Sequence, residues 1–149
     1  MLKNIPGILS PDLLKILMEM GHGDEIVIAD SNFPAASIAR HTASRKLIRL
    51  DGHGVLAVLE AVLKVFPLDQ YVAKPVVLMQ VDPEDPVKTP IWGQYRKIIK
   101  AGGEPLKDFE LMEHFAFYER ARNAYAVVAT GELSQYANVI LKKGCVISS

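Results

Sequence analysis

Two rhythms of apolar residues alternate along this chain. Leu13, Leu14, Leu17 and Met20 recur at helical spacing. Ser10-Pro11 in front of them gives a hydroxyl N-cap and a proline whose φ is already set for a first helical turn. Gly21 then stands where a left-handed C-terminal cap is expected. Ile26-Val27-Ile28-Ala29 is the second kind of signal, a short unbroken apolar run of the sort found in strands covered on both faces of a parallel sheet. The same reading predicts a strand over 46–50, closed by Asp51-Gly52, and a helix carrying Leu56, Leu59, Val62, Leu63 and Phe66 up to Pro67. A strand follows over 76–81, and Asp82-Pro83-Glu84-Asp85-Pro86 forms a turn-rich link, because each proline fixes its own φ and restricts its predecessor. Thr89-Pro90 starts a helix with Ile91, Tyr95, Ile98 and Ile99 on one face, stopped by Gly102-Gly103. The remainder reads as a strand over 109–113, a helix over 115–123, and closing strands over 125–129 and 138–141 joined through Thr130-Gly131-Glu132.

Helices alternating with short apolar strands predict an α/β fold: a single three-layer α/β/α domain over residues 1–149, built on a mostly parallel mixed sheet. Residues 31–45 are the least patterned stretch and a candidate cover for a site. The length suits one domain, which at this size buries roughly 68–70% of its unfolded surface. Seventeen basic residues balance seventeen acidic ones, so no overall field favours nucleic acid or an anionic membrane. No apolar run approaches 18 residues, the N-terminal stretch lacks the apolar segment of a signal peptide, and lone Cys145 has no partner for an internal disulfide. The expectation is a cytoplasmic protein.

Chemistry concentrates at Gly21-His22-Gly23-Asp24-Glu25. Imidazole is the side chain best suited to give and take a proton near neutrality, and the flanking glycines let a ligand approach the backbone. His22 falls just past a helix C-terminus, where the partial negative charge favours imidazolium by roughly 0.3–1 kcal/mol. It reads either as a proton donor or as a cap on the last carbonyls. Asp30 ends the first buried strand, and ligands of open α/β sheets collect beyond the carboxyl ends of strands. There it either accepts hydrogen bonds from sugar-like hydroxyls, as a partner to His22, or with Ser31 and Asn32 caps a turn or the next short helix. His114 begins a mixed aromatic and charged segment in which Tyr118 and Arg120 either reach a ligand or, the commoner arrangement, belong to a core stripe with a solvated charged face. Tyr136-Ala137-Asn138 precedes the last strand and reads either as an ordinary turn or as a source of side-chain and main-chain hydrogen bonds to a hydroxylated ligand. His41 and His53 read as surface or loop residues. The histidines lack metal-ligand spacing, and no phosphate-binding glycine loop is present, so neither a metal nor a nucleotide is expected.

In order along the chain, Met20-Gly21-His22-Gly23-Asp24-Glu25, Asp30 with Asn32-Phe33-Pro34, Arg49-Leu50-Asp51-Gly52, Phe117-Tyr118-Glu119-Arg120-Ala121, Thr130-Gly131-Glu132, Tyr136-Ala137-Asn138 and Leu141-Lys142-Lys143-Gly144 resemble the L-fucose mutarotase and D-ribose pyranase family. The Phe-Tyr-Glu-Arg-Ala segment and the Leu-Lys-Lys-Gly ending look like the fucose branch. The resemblance implies a Rossmann-like variant and cofactor-free interconversion of monosaccharide anomers, with His22 as the proton donor. It also implies sugar contacts from Asp30, His114, Tyr136, Ala137 and Asn138. His114 departs from the arginine typical of the fucose branch and is similar to the ribose branch, which interconverts pyranose and furanose. A ring-like homo-oligomer, commonly a decamer, is implied as well. A non-catalytic sugar-binding module is the alternative from another class.

Overall fold

The computed structural model describes residues 1–104 and 106–148. Its elements are α1 (Pro11–Glu19), β1 (Glu25–Ala29), α2 (Ala35–Ala39), β2 (Leu47–Leu50), α3 (Val55–Leu63), β3 (Val76–Met79), α4 (Pro90–Ala101), β4 (Glu110–Met112), α5 (His114–Arg122), β5 (Ala126–Thr130) and β6 (Val139–Lys142). The strands form one six-stranded sheet in the order β2-β5-β1-β6-β3-β4. Neighbours run parallel except at β6, which is antiparallel to both β1 and β3. This is the α/β class expected from the sequence, with one reversed strand at its centre.

Alternate residues of the central strands bury on opposite faces, as the pleat requires. Ile26, Ile28, Ala126, Val128, Val139 and Leu141 pack with α1, α3 and α4, including the fully buried Leu13, Leu59 and Tyr95. Val27, Ala29, Val127, Ala129 and Ile140 face the other way, onto α2 and α5 through Ile38 and Phe117. Ser10 caps α1 as its sequence foretold, its hydroxyl accepting the Leu13 amide at 3.2 Å. The expected glycine cap at Gly21 does not form. Met20 is the C-cap, in extended conformation, and the left-handed glycine of this loop is Gly23 at φ +90°. The α3 helix stops at Leu63, short of Phe66, which still reaches the core. The α2 helix was open in the sequence only as a short helix that Asp30 to Asn32 could cap, with no bounds. Five residues are too few to show a helical period, and Pro34 in front of it gives no side-chain cap bond.

Candidate functional site

The reversed strand β6 decides what meets at each end of the sheet. Its register sets Ile28 opposite Val139, so the residues just before β6 lie beside the residues just after β1. The Asp30 amide therefore donates to the Asn138 side-chain oxygen at 2.7 Å. The Asp30 carboxylate accepts the Asn32 and Phe33 amides at 3.1 and 3.0 Å and the Ala137 amide at 3.4 Å. The capping reading of Asp30 holds, with one oxygen closing the following turn, and the residue also borders a cavity of about 200 Å³. Asn32, Phe33, Met79, His114, Tyr118, Tyr136 and Asn138 line that cavity too. Its volume lies below the roughly 300–1,000 Å³ of drug-sized ligand pockets, which suits a small molecule. Burial raises the Asp30 carboxyl above its ordinary range, and the backbone hydrogen bonds only partly offset this.

Tyr136 sits at φ +54°, a left-handed conformation that costs a bulky residue on the order of 1–3 kcal/mol and persists only when its surroundings over-determine it. Its hydroxyl donates to Asp85 at 2.8 Å and accepts the Asp82 amide at 3.4 Å. Burial, then the Asp85 bond, keep that phenol protonated beyond its usual range. Ala137 is fully buried, with its amide on Asp30 and its carbonyl on the Tyr95 hydroxyl. His114 heads α5, its Nδ1 3.4 Å from Asp82, its ring stacked on Phe115 and set edge-on to Tyr118. Arg120, two residues on from the cavity-lining Tyr118, does not join this cavity. It bonds Glu25 at 2.6 Å and Glu110 at 2.8 Å, tying α5 to the starts of β1 and β4.

His22 lies at the opposite end. The five residues of β1 separate it from Asp30 by a strand length, roughly 16 Å at about 3.3 Å per residue. Asp30 is therefore not its partner within one chain; Asp69 is. The bridge between Leu68 and Lys143 and the Asp69 amide bond to Lys142 bring the 67–71 segment alongside the end of β6. There the His22 Nε2–H donates to Asp69 Oδ1 at 3.0 Å, and the ring tilts against Tyr71. The Asp69 side chain is 2% exposed and that of His22 46%, so an anchored carboxylate orients a presented imidazole. Burial pushes the Asp69 carboxyl up, but the Tyr71 amide and His22 outweigh it and hold it below the ordinary range.

The capping alternative for His22 is answered by Lys143. Its ammonium donates to the carbonyls of Leu17 and Met20 at 2.7 and 2.5 Å, filling the C-terminus of α1. The loop itself is closed by Gly21 N–H on the Asp24 carboxylate and by Gly23 and Lys143 exchanging main-chain bonds with Lys143 and Asp24. Gly144 permits the approach of the 67–69 segment, since a Cβ there would sit 2.4 Å from the Leu68 carbonyl oxygen. His41 and His53 are exposed in loops, as read from the sequence. Among the described residues no three His, Cys, Asp or Glu side chains cluster as a metal site would need, and no helix is long and apolar enough to cross a membrane.

The fold is an α/β sheet whose polar-lined cavity borders the carboxyl end of β1, the place where open α/β sheets collect their ligands. The RbsD / FucU transport protein family matches residues 3–146, and the chain belongs to that family. It is 49% identical over 146 residues to the human fucose mutarotase, covering 96% of this chain and 93% of that one. The solved fucose mutarotase of Streptococcus pneumoniae in complex with L-fucose superposes with a TM-score of 0.89 at 51% identity, over 98% of this chain and 100% of that one. Bacillus subtilis RbsD complexed with D-ribose shares the fold, with a TM-score of 0.70 at 24% identity over 99% of this chain and 100% of that one.

Proposed function

We propose that this chain, as one domain over 1–149, is a monosaccharide mutarotase that interconverts the α and β anomers of L-fucose or a close relative. The carrying observation is the cavity around Asp30, Asn138 and Tyr136, in a chain about half identical to a mutarotase solved with L-fucose. Ring opening delivers a proton to the ring oxygen and removes one from the anomeric hydroxyl. His22 supplies the first. Its Nε2 is engaged by Asp69, and Nδ1 has no protein partner among the described residues, so Nδ1 is the nitrogen left for the sugar. Water or a carboxylate takes the second proton. Asp30, His114, Tyr136 and Asn138 hold the hydroxyls, with Ala137 contributing by placing its neighbours.

A sugar bound beside Asp30 is a strand length from the His22 of the same chain, so in this reading a second copy supplies the acid. Such a contact joins two different ends of the molecule and generates a ring when the rotation closes. Exposed apolar side chains flank both ends, Tyr71 and Val72 near His22 and Phe115 on His114. We take the assembly to be a ring-like homo-oligomer, with a decamer as the expected form. We place it in the cytoplasm, consistent with its lone Cys145.

The test is saturation-transfer NMR between the anomeric signals of L-fucose, D-galactose and D-ribose. Wild type is expected to accelerate exchange of L-fucose, and His22→Ala to lose about 10²- to 10⁴-fold, the usual contribution of a positioned acid. Unchanged exchange in His22→Ala rejects His22 as the donor; binding without exchange in wild type favours a sugar-binding module. His114 supports a second reading, pyranose–furanose interconversion of D-ribose, which the same panel separates.

A further inference from the structure

We infer that Trp92 and Tyr95 of α4, on the far side of the cavity wall from the sugar, are positioning residues that set the affinity of the site. The inference rests on the mutarotase reading for its substrate. Three positions apart, the two side chains lie on one face of the helix. The Trp92 Nε1–H donates to the Tyr136 carbonyl at 2.8 Å, and the Tyr95 hydroxyl donates to the Ala137 carbonyl at 2.6 Å. Two consecutive carbonyls of the 136–138 segment are thereby committed to α4, at the one aromatic residue of the chain held at positive φ. The Tyr95 side chain is fully buried, and burial holds its phenol protonated far beyond the ordinary range, so it remains a donor at any working pH. With those carbonyls pinned, the Ala137 amide faces Asp30 and the Asn138 oxygen takes the Asp30 amide. The orientation of the three hydroxyl-binding residues Asp30, Tyr136 and Asn138 therefore passes through two side chains that touch no part of the cavity.

Neither residue belongs to the proton-transfer end, so its loss weakens binding of ground state and transition state alike. That raises KM with little change in kcat. Tyr95→Phe removes only the hydroxyl and leaves the buried Ala137 carbonyl without its donor, a change expected to raise KM about tenfold while kcat stays within about twofold. Trp92→Phe is expected to act in the same direction. Tyr125→Phe, which removes a surface hydroxyl bonded to Glu19, is the control and keeps the wild-type KM.

Trp92 is the only tryptophan of the chain, so its emission reports sugar binding at this latch without relying on turnover. L-Fucose is expected to change wild-type emission, and the titration midpoint to move about tenfold in Tyr95→Phe. A KM and a midpoint unchanged in Tyr95→Phe, with KM also unchanged in Trp92→Phe, overturn the proposal, as does a fall in melting temperature unaccompanied by any KM shift. If Tyr95→Phe does not fold, the KM of Trp92→Phe decides. Wild type that binds L-fucose without exchanging its anomers removes the mutarotase reading, while the fluorescence midpoints still decide the role of the latch.

Discussion

Each end of the sheet sets a histidine against an aspartate, and the two pairs are built in opposite ways. At the β1 start, Asp69 is almost fully buried and His22 is half in solvent, 3.0 Å apart. At the other end the order reverses: the His114 side chain is 29% exposed and Asp82 45%, at 3.4 Å. His22 is thus a presented group with a fixed anchor behind it. His114 is a packed group, stacked on Phe115 and abutting Tyr118, with a loose carboxylate in front. The first arrangement suits proton delivery, because the anchored partner fixes which nitrogen faces the reactant. The second suits a wall that a sugar leans on. The two pairs stand at opposite ends of the sheet, so a presented acid and a packed wall acting on one sugar, as proposed, require two copies of the chain.

Complementation between two variants tests whether the two ends serve one sugar. His22→Ala and Asp30→Ala are each expected to abolish anomer exchange. Dissociated, mixed in equal amounts and reassembled, they are expected to regain about a quarter of wild-type exchange per site, because one random head-to-tail neighbour pair in four carries both intact ends. Exchange measured by NMR on the mixture reads this directly. A mixture as inactive as its parts means that the two ends do not serve one sugar.

A smaller effect is expected from the anchor. Asp69→Asn keeps the shape but removes the carboxylate that holds the His22 Nε2–H and balances the charge of the imidazolium whose Nδ1–H is given to the sugar. A loss of kcat on the order of 10²-fold is expected, with KM nearly unchanged, since a buried carboxylate behind a catalytic histidine acts by holding its tautomer and orientation. Asp82→Asn is expected to do the reverse, changing KM modestly and kcat little. Equal effects of the two substitutions on kcat would erase the distinction between presented acid and packed wall.

How much of this was legible in the sequence follows from what each feature depends on. The apolar runs at 26–29, 76–79 and 126–129 announce buried strands because a strand covered on both faces has no polar side to show. Asp30 and the 136–138 segment could be singled out by position at strand ends. Their meeting could not, because it requires β6 to run against its neighbours, and strand direction is a property of the connections rather than of the residues. Asp69 was missed for the same reason. It lies 47 positions from His22, in a turn with no local pattern, and only the Leu68–Lys143 bridge places it. Lys143 shows the converse. A basic residue late in the chain neutralises the end of a helix early in it, and so takes over the capping role that local reading offered to His22. For Arg120 the sequence offered either a ligand contact or a place on a solvated charged face, and it takes neither, its guanidinium being satisfied by Glu25 and Glu110.

The smallest expected effect concerns stability against pH, where the two buried aspartates should pull in opposite directions. Asp69 is held below its ordinary range in the folded chain, so it contributes stability above its unfolded value, about 3.9. That contribution is lost as pH falls through the depressed folded value. Asp30 is held above its ordinary range, so its contribution is present below about pH 3.9 and is lost as pH rises through the raised folded value. Melting temperatures of wild type, Asp69→Asn and Asp30→Asn, followed from about pH 3 to pH 7, separate the two cases, at about 2–4 °C per kcal/mol for a chain of this size. The advantage of wild type over Asp69→Asn should shrink toward acid. Asp30→Asn should gain on wild type toward neutrality, since asparagine carries no charge to desolvate in the cavity wall. Parallel curves for all three proteins would mean that neither carboxylate is strained by its site. In the proposed function, hydroxyl donors of a bound sugar offset the desolvation that opposes folding at Asp30. Saturating L-fucose should therefore raise the melting temperature of wild type more than that of Asp30→Asn at pH 7.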